Sequence, residues 1–460
     1  MKIGLLPLGR PTFDVAYAEE KLAGLLARLD ATGHAFVGAR ELLFDAGTSQ
    51  TAIAEIAAAN VDRVLILQVT FTDAAMTVEA ARALDAPLSL WAVPEPRAGG
   101  RLRLNAFCGL NLASHALGLN GRGFSWAYGD GDAITNADLD ALLTGGRESA
   151  RRDGVSIDTA NDDGRRIAEA VRGARIARVG EHPVGFDSCA YRADRLQALA
   201  GVTIDEVALE DLFARAQDVP DAAPAAIRTR LEATLDDLDA VDQEQLNKSL
   251  RLKIALDGMR EDGNYDAFAI RCWPETFTEY GGAVCGPVAM MGEARVPCAC
   301  EADVYGALTQ LILQQAAQAP VFLVDLVDMD LEDNTGVVWH CGQAPMSMRD
   351  ETIAASATIH TNRKMPLLFE FPLKPGRVTL MRVSQAFNDP RIVIAGAEML
   401  SRPMAFTGTS GVLRFDRPAG DVLDDLIGSG LEHHMAIVYG DHRDALRGVA
   451  AELRLPVLEL

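Results

Sequence analysis

The sequence predicts an α/β protein with two doubly wound α/β domains, each built on a mostly parallel sheet, followed by a β-rich, barrel-like domain at the C-terminus. Three observations lead to this prediction. Apolar strand-like runs alternate with helical patterns up to about residue 345, and short strands with close turns follow from about residue 346. The length of 460 residues also suggests about three domains, at roughly 150 residues per domain.

The first domain is expected to span residues 1–165. Its strand-like runs alternate with helical patterns, as parallel β-α-β units do. Strands are predicted at Ile3–Leu8, Ala35–Val37, Val64–Val69 and Leu88–Val93, and helices at Ala16–Leu29, Thr51–Ala59, Ala74–Leu84 and Asn105–Ala116. The charged segment 147–166 is the expected boundary.

The second domain is expected to span residues 166–345 and to repeat the order strand, loop and helix. Strands are predicted at Ile176–Val179, Val202–Val207, Ala267–Cys272, Val296–Ala299 and Val321–Val327. Helices are predicted from Arg192, from Leu209, within Ala226–Met259, and from about Asp303 to Ala316.

The third domain is expected to span residues 346–460. Strands are predicted at Leu367–Pro372, Val378–Val383, Ile392–Ala395 and Val412–Phe415, and Pro, Gly and Asn-Asp turns separate them. Such short strands favour a small antiparallel barrel or sandwich. Helical patterns at Val422–Gly428 and Arg443–Leu453 flank a histidine-bearing segment at Leu431–Tyr439.

The composition excludes several classes of partner. Lys and Arg number 43 against 65 Asp and Glu, and the formal net charge of −22 repels phosphate backbones and anionic lipid surfaces. We therefore expect no nucleic-acid partner and no membrane partner. No apolar run approaches the roughly 18 residues of a spanning helix, and Met1–Leu8 lacks the pattern of a signal peptide, so a cytoplasmic protein is expected. The seven cysteines are an odd number, which argues against a disulfide framework.

Nucleotide and zinc sites have little support. No GxxxxGK[ST] segment exists, and the Gly118–Gly123 cluster lacks both GxGxxG spacing and a preceding strand. Cys298 and Cys300 have no second cysteine pair at the distance of a structural zinc site, so a buried thiol pair is the preferred interpretation.

Isolated acids and histidines stand at the ends of apolar segments in the second and third predicted domains. They are Glu301, Asp325, His340 and the pair His433–His434. Each also has an ordinary structural interpretation. Glu301 could be a helix N-terminal acid and Asp325 a hydrogen-bonded acid at a strand end. His340 could be a core histidine, and the pair His433–His434 a solvated helix end. Taken together they suggest an oxygen-rich site for a divalent ion, suited to Mn²⁺ or Mg²⁺ better than to structural Zn²⁺.

These residues resemble the L-fucose isomerase and L-arabinose isomerase superfamily. Its members carry an acid in a [TA]E-x-D motif before a helix, which ACEADVYGAL matches at Glu301, and a second acid on a following strand, which FLVDLVD matches at Asp325. The separation of 24 residues is similar to the fucose isomerase pattern. WHCG at His340 and LEHHM at His433–His434 resemble histidine segments of the arabinose isomerases.

The resemblance implies a divalent metal, with Mn²⁺ as the expected ion and Mg²⁺ or Co²⁺ as alternatives. The implied ligands are Glu301, Asp325, His434 and His340. For His340 a substrate contact stays open, because in the fucose-type pattern the equivalent ring need not touch the metal. The resemblance also implies a homo-oligomer, a trimer or hexamer, with active sites near subunit boundaries.

The implied reaction is the interconversion of an aldose and a ketose through a cis-enediol, in which a proton moves between C2 and C1. A metal that chelates O1 and O2 acidifies the carbon, and flanking carboxylates transfer the proton. Glu301 and Asp325 are the candidate catalytic acids. L-Fucose, L-arabinose, D-arabinose and a sulfonated hexose all fit this chemistry as substrates.

Substrate contacts are expected from His433, Trp273, Gln68 and Arg271, and a sulfonated sugar could also use Arg295 or Arg178. Phe71, Asn111, His115 and Trp126 are further candidates, but core packing is favoured for each of them. Two other functions stay open: a non-catalytic sugar-binding protein built on paired α/β domains, and a metal-dependent aldolase or lyase that shares the enediolate.

Overall fold

The computed structural model of the chain describes residues 1–146 and 151–460. They form two parallel sheets with helices packed on them and one large mixed sheet, which confirms the predicted fold class. Residues 147–150, at the start of the segment expected to separate the first two domains, lie outside the described residues.

The first sheet has five parallel strands in the order β2-β1-β3-β4-β5. Its strands are β1 (Lys2–Leu8), β2 (Ala35–Gly38), β3 (Arg63–Gln68), β4 (Leu88–Ala92) and β5 (Phe124–Tyr128), and its helices are α1 (Val15–Asp30), α2 (Ala46–Ala59), α3 (Ala75–Ala83), α4 (Ala106–Leu119) and α5 (Asn136–Thr144). Its central strands are buried on both faces and therefore read as continuous apolar runs. The loops after β1 and β3 lie where the strand order reverses, the usual place for a ligand in such a sheet.

The second sheet has four parallel strands in the order β7-β6-β8-β9. Its strands are β6 (Arg175–Val179), β7 (Thr203–Val207), β8 (Ala267–Ile270) and β9 (Cys298–Ala299). The helices of this part are α6 (Asp162–Val171), α7 (Ala193–Ala200), α8 (Leu209–Gln217), α9 (Ala225–Glu232), α10 (Gln243–Gly263), α11 (Cys285–Glu293) and α12 (Val304–Ala317).

The third sheet has nine strands, and six of them close into a ring. Its strands are β10 (Phe322–Asp330), β11 (Thr335–His340), β12 (Ser356–Thr358), β13 (Leu368–Pro372), β14 (Gly376–Ser384), β15 (Arg391–Met399), β16 (Thr409–Phe415), β17 (His434–Tyr439) and β18 (Val457–Glu459), with helices α13 (Ala419–Gly428) and α14 (Arg443–Leu453). The antiparallel ring runs β10-β11-β16-β15-β14-β17 and returns to β10. Because β12, β13 and β18 extend the sheet outside the ring, it is not a simple barrel.

The sheets do not divide the chain at residue 345, where the sequence suggests a domain boundary. β10 and β11 precede that residue but pair with β17 and β16 in the third sheet. β10 is buried over almost its whole length, with helix α4 of the first domain packed against it. A strand covered on both faces reads as a largely apolar run without strict alternation, which is also the signature of a parallel strand.

Among the described helices, none combines the length and hydropathy needed to cross a membrane. All seven cysteines are free thiols, and only Cys341 is not fully buried.

Candidate active site

Glu301, Asp325 and His434 come together where the second and third sheets meet. Asp325 on β10 lies directly opposite His434 on the antiparallel strand β17, and Oδ1 of Asp325 is 3.5 Å from Nε2 of His434. Oε2 of Glu301, just after β9, is 3.7 Å from the same nitrogen. Three of the side chains expected to bind a metal therefore surround one point.

A strained turn positions Glu301. Between β9 and α12, Glu301 and Ala302 both have left-handed backbone conformations, with φ of 59° and 55°. Such conformations cost of order 1 kcal/mol each in residues other than glycine, and they persist where the surroundings hold them. Here the indole Nε1 of Trp273 donates a hydrogen bond of 3.0 Å to Oε1 of Glu301, and Nε2 of His433 lies 3.1 Å from Oε2. The carboxylate is therefore fixed in one orientation.

His434 is oriented by a buried ion pair. Its Nδ1 lies 2.9 Å from Oδ2 of Asp303, and Asp303 in turn accepts hydrogen bonds of 2.5 Å and 3.1 Å from Nη1 and Nη2 of Arg382. A carboxylate on one imidazole nitrogen fixes the tautomer and directs the other nitrogen at a metal. Nε2 of His434 therefore faces Glu301 and Asp325.

His433 approaches the same carboxylate as its neighbour. Adjacent residues of a strand face opposite ways, which predicts that the two rings diverge. That prediction is wrong, because β17 begins at His434 and His433 precedes the regular strand. The ring centroids are 3.9 Å apart, and Nδ1 of His433 lies 3.1 Å from the Ser188 hydroxyl. His433 thus links Ser188 to Glu301.

Two buried atoms of the residues expected to bind a metal have no hydrogen-bond partner. They are Oδ1 of Asp325 and Nε2 of His340. The other ring nitrogen of His340 accepts a hydrogen bond of 2.9 Å from the Cys341 backbone N–H. Asp325, His340 and His434 each offer one ligand atom, and these atoms lie within 4.8 Å of one another. Leaving such atoms unpaired is costly, so this donor set fits a divalent cation.

A second group of donors overlaps the first and comprises Cys189, Glu301, His433 and His434. Burial raises the pKa of the Cys189 thiol well above its usual range. A protonated thiol is a poor metal ligand. The carboxylates and imidazoles are therefore the effective donors.

The charges in the cluster suit a cation. Burial opposes the charge on Glu301, but the hydrogen bond and charge of His433, together with His434, lower its pKa to about 2. Burial also opposes the charge on Asp303, yet Arg382 and His434 hold its pKa well below the usual range. Burial lowers the pKa of His340. It acts the same way on His434, but the hydrogen bond to Asp303 outweighs it and raises that pKa. At neutral pH the cluster offers carboxylates and a neutral His340, and a metal at Nε2 of His434 would compete with a proton there.

The cluster lies at the bottom of a cavity that all three sheets help to form. The loop after β1 contributes Arg10, Thr12 and Phe13, and the loop after β3 contributes Phe71. The other lining residues are Leu102, Asn105, Cys272, Trp273, Phe277, Cys285, Glu301, Asp325, Trp339, His340, Cys341, Gln343, His360, Thr361, Asn362, Arg363 and His433. Aromatic rings and a few polar groups at the bottom of a cleft are typical of a small-molecule site.

The structure brings only some of the expected substrate-contact residues to the cavity. Trp273 and His433 line it. Gln68 is buried at the end of β3, where its amide donates to the Thr70 carbonyl and the Thr72 hydroxyl. Arg271 lies outside the cavity lining and forms two hydrogen bonds with Glu275.

The remaining candidate substrate contacts also lie partly in the cavity and partly outside it. Phe71 lines the cavity, whereas Asn111, His115 and Trp126 are buried in the body of the protein. Arg178 pairs with Glu206, and Arg295 donates to Gln318 on the surface.

Sequence reasoning assigned no role to Asp303, Arg382, Ser188, Arg10 or Arg363. Asp303 alone carried a signal, since it is the final acid of the E-x-D motif. The others reach the cluster or the cavity from distant positions in the chain, and no local pattern marks them.

Comparison with known proteins supports an isomerase. Residues 4–138 match the family model described as the N-terminal domain of fucose/sulfoquinovose isomerase. The chain is 32% identical to a sulfoquinovose isomerase of Alkalicoccus urumqiensis, over 87% of this chain and 86% of that protein. It is 30% identical to a sulfoquinovose isomerase of Priestia megaterium, over 98% and 97% of the two chains. A sulfoquinovose isomerase of Clostridium sp. is 29% identical over 99% and 98%.

Proposed function

The chain belongs to the fucose/sulfoquinovose isomerase family and is an aldose–ketose sugar isomerase, and on this premise we propose that it works with a divalent metal through a cis-enediolate. The observation that carries the proposal is the pair of unpartnered buried atoms, Oδ1 of Asp325 and Nε2 of His340, beside a histidine whose other nitrogen is already occupied. We expect Mn²⁺, with Mg²⁺ or Co²⁺ as alternatives, because the donors are carboxylate oxygens and imidazoles.

Glu301, Asp325 and His434 would hold the ion, and His340 is within reach as a further ligand. When bound, such a cation polarises the two substrate oxygens and stabilises the negative charge that develops on them. Asp303 and Arg382 keep His434 in the required orientation. The two hydrogen bonds to Glu301 do the same for its carboxylate.

The two carboxylates are the groups that move the proton. Isomerisation breaks the C2–H bond, forms a C1–H bond and transfers one hydroxyl proton from O2 to O1, so no atom or electron is gained or lost. Oε1 of Glu301 already accepts a hydrogen bond from Nε1 of Trp273, and Oε2 contacts Nε2 of His433. Oδ1 of Asp325 has no partner. Because this oxygen is the atom that would face the cation, we assign the proton transfer to Asp325 and Glu301 together.

A sulfonated aldose of the sulfoquinovose type is the proposed substrate. The relatives named sulfoquinovose isomerase align with nearly the whole of this chain, including all three sheets. The cavity also contains two guanidinium groups, of Arg10 and Arg363, which can bind an anion.

The two other functions have less support. A non-catalytic sugar-binding protein would share the paired α/β domains, but the full-length relatives are isomerases. An aldolase or lyase would form the same enediolate. Unlike an isomerase, it would change the number of carbon atoms between substrate and product.

The test is an NMR screen of purified protein with Mn²⁺ against sulfoquinovose, glucose, L-fucose, L-arabinose and D-arabinose. We expect the ketose of sulfoquinovose as the product, with an unchanged number of carbon atoms. Isomerisation of a neutral aldose in preference to sulfoquinovose would contradict the proposed substrate, and shorter carbon products would indicate a lyase.

A further inference from the structure

We infer that Arg10 and Arg363 form the subsite that binds the anionic group of the substrate, at the end of the sugar away from the metal. This inference rests on the proposed function. The ligand chemistry is a tetrahedral oxyanion on the terminal carbon of a hexose, which a sulfonate or a phosphate can supply.

The position of the two arginines is the first support. Arg10 lies in the loop after β1, where the strand order of the first sheet reverses, and Arg363 lies between β12 and β13. Their guanidinium carbons are 5.6 Å and 5.7 Å from the centre of the same ring, that of Trp273. The indole nitrogen of that ring donates to Glu301. The indole ring of Trp273 therefore contacts both guanidinium groups and the proposed catalytic carboxylate of Glu301.

The charge of the pair is the second support. Arg10 forms an ion pair with Asp73, which leaves only part of its charge available. None of the described carboxylates forms an ion pair with Arg363. Burial lowers the pKa of Arg363, and the nearby positive charge of Arg10 lowers it further. An anion bound between the two guanidinium groups would offset their mutual repulsion.

A preformed loop is the third support. Nδ1 of His360 accepts hydrogen bonds from the backbone N–H groups of Asn362 and Arg363, at 3.2 Å and 3.3 Å. Burial, followed by the charge of Arg363, lowers the pKa of His360 to about 3, so the ring stays neutral and can accept them. The Lys364 N–H closes the same turn on the His360 carbonyl at 2.7 Å. The loop thus holds Arg363 at the cavity wall before any ligand binds, which reduces the entropy cost of binding.

The arginines that the sequence suggested for this role are occupied elsewhere. Arg271 pairs with Glu275 and Arg178 with Glu206. Arg295 is bound to Gln318. None of the three lines the cavity. Arg10 and Arg363 are the two arginines among the described lining residues.

The test compares Arg363→Met with Lys364→Gln, which removes the same charge from the neighbouring exposed position. Calorimetric affinities and kcat/KM are measured for sulfoquinovose, glucose 6-phosphate and glucose. In Arg363→Met we expect sulfoquinovose binding and kcat/KM to fall roughly 10–100-fold, as for the loss of a charged hydrogen bond, with glucose unchanged. Lys364→Gln should match the wild type. Arg363→Lys should recover only part of the loss, because an ammonium lacks the planar fork of a guanidinium.

Three results would overturn the inference: equal losses for sulfoquinovose and glucose, no loss for either, or wild-type protein that binds sulfoquinovose no more tightly than glucose. Tighter binding of glucose 6-phosphate, lost in Arg363→Met, would keep the anion subsite and change the anion to phosphate. If the wild type binds sulfoquinovose through Arg363 but isomerises no aldose, the proposed function fails and the subsite stands.

Discussion

At the scale of single residues, the two carboxylates have different surroundings although they face the same imidazole. Glu301 is held by Trp273 and His433, and the hydrogen bond and charge of His433 lower its pKa to about 2, so it is an anion at neutral pH. Asp325 reaches the same imidazole from β10, and its Oδ1 has no hydrogen-bond partner. Both carboxylates are therefore available to the proposed metal-assisted proton transfer.

Removing either carboxylate should abolish most of the activity. We expect Glu301→Gln and Asp325→Asn each to lower kcat several hundredfold or more, because each loses a proton acceptor and a negative charge at the metal, and acid–base groups typically supply roughly 10²–10⁴-fold. The melting temperature and circular dichroism should show an intact fold. Glu332→Gln, in the exposed turn after β10, is the matched control. A variant that keeps more than about a tenth of wild-type kcat would show that its residue is misassigned.

The three histidines should differ in their effect on bound metal. We expect His434→Ala to lose manganese, His340→Ala to bind it more weakly, and His433→Ala to retain it while kcat falls. Nε2 of His434 faces both carboxylates, whereas both nitrogens of His433 already have partners. Elemental analysis of the three purified variants decides this order. Loss of manganese in His433→Ala with retention in His434→Ala would move the ligand assignment by one residue.

At the scale of secondary-structure elements, the start of α12 serves both the helix and the candidate metal site. Oδ1 of Asp303 caps the helix by accepting from the Gly306 N–H at 2.8 Å, and Oδ2 contacts His434 at 2.9 Å. Arg382 on β14 neutralises the same carboxylate. The site therefore depends on the register between α12 and two strands of the ring.

The role of Asp303 can be separated from its contribution to stability. Asp303→Asn should weaken manganese binding about 10–100-fold, as for other groups that orient a metal-bound histidine. It should also lower the free energy of unfolding by about 3–5 kcal/mol, because Arg382 is left buried with an unpaired charge.

The double variant Asp303→Asn/Arg382→Met tests this separation, since it removes the buried charge. It should recover much of the stability but none of the metal affinity. Wild-type manganese affinity in Asp303→Asn would show that the carboxylate does not orient His434.

The loop after β4 is expected to give the protein a pH dependence outside the candidate metal site. Glu95 accepts hydrogen bonds from the backbone N–H groups of Leu104 and Asn105 at 2.8 Å, and its own N–H donates to Asp328 on β10. Burial, only partly offset by these hydrogen bonds, raises its pKa from 4.5 to about 7. The folded state then binds a proton that the unfolded state has lost, so stability falls as the pH rises from about 4.5 through 7.

Glu95→Gln should remove this dependence. Relative to the variant, the wild type should lose up to about 3 kcal/mol of unfolding free energy between pH 4.5 and 8, measured by denaturant titration. A difference between wild type and variant that does not change with pH would show that Glu95 ionises normally.

At the scale of the whole molecule, the sequence predicts the order of elements well and the closure of the third sheet poorly. The runs at Val64–Val69 and Ala267–Cys272 correspond to β3 and β8, because parallel strands buried on both faces leave a clear signal. The hairpin β10–β11 belongs to the third sheet instead of the second predicted domain. Pairings between residues far apart in sequence, such as β15 with β16 across the ring, leave no local pattern.

The sequence likewise predicts only part of the candidate site. Glu301, Asp325, His340 and His434 stand in recognisable segments and meet as expected. The orienting and cavity-lining residues Arg382, Ser188, Arg10 and Arg363 come from loops and strands distant in sequence. Their roles follow only from three-dimensional contacts, so no single-sequence pattern identifies them.

The family resemblance leads us to expect a trimer or hexamer with sites near subunit boundaries. Within one chain, the loops of the first domain already line the cavity. Light scattering after size exclusion should give a mass about three or six times the 49.3 kDa of the chain. A monomeric mass at micromolar concentration would contradict the expectation.

The most direct test of the central claim is the conversion of sulfoquinovose in D₂O by exhaustively chelated protein and by the same protein with Mn²⁺ restored, followed by NMR. A metal-dependent enediolate mechanism predicts ketose formation only with Mn²⁺, and deuterium from the solvent at C1 of that ketose. Full turnover by protein that elemental analysis shows to be free of metal, or ketose that contains no solvent deuterium, would contradict the account.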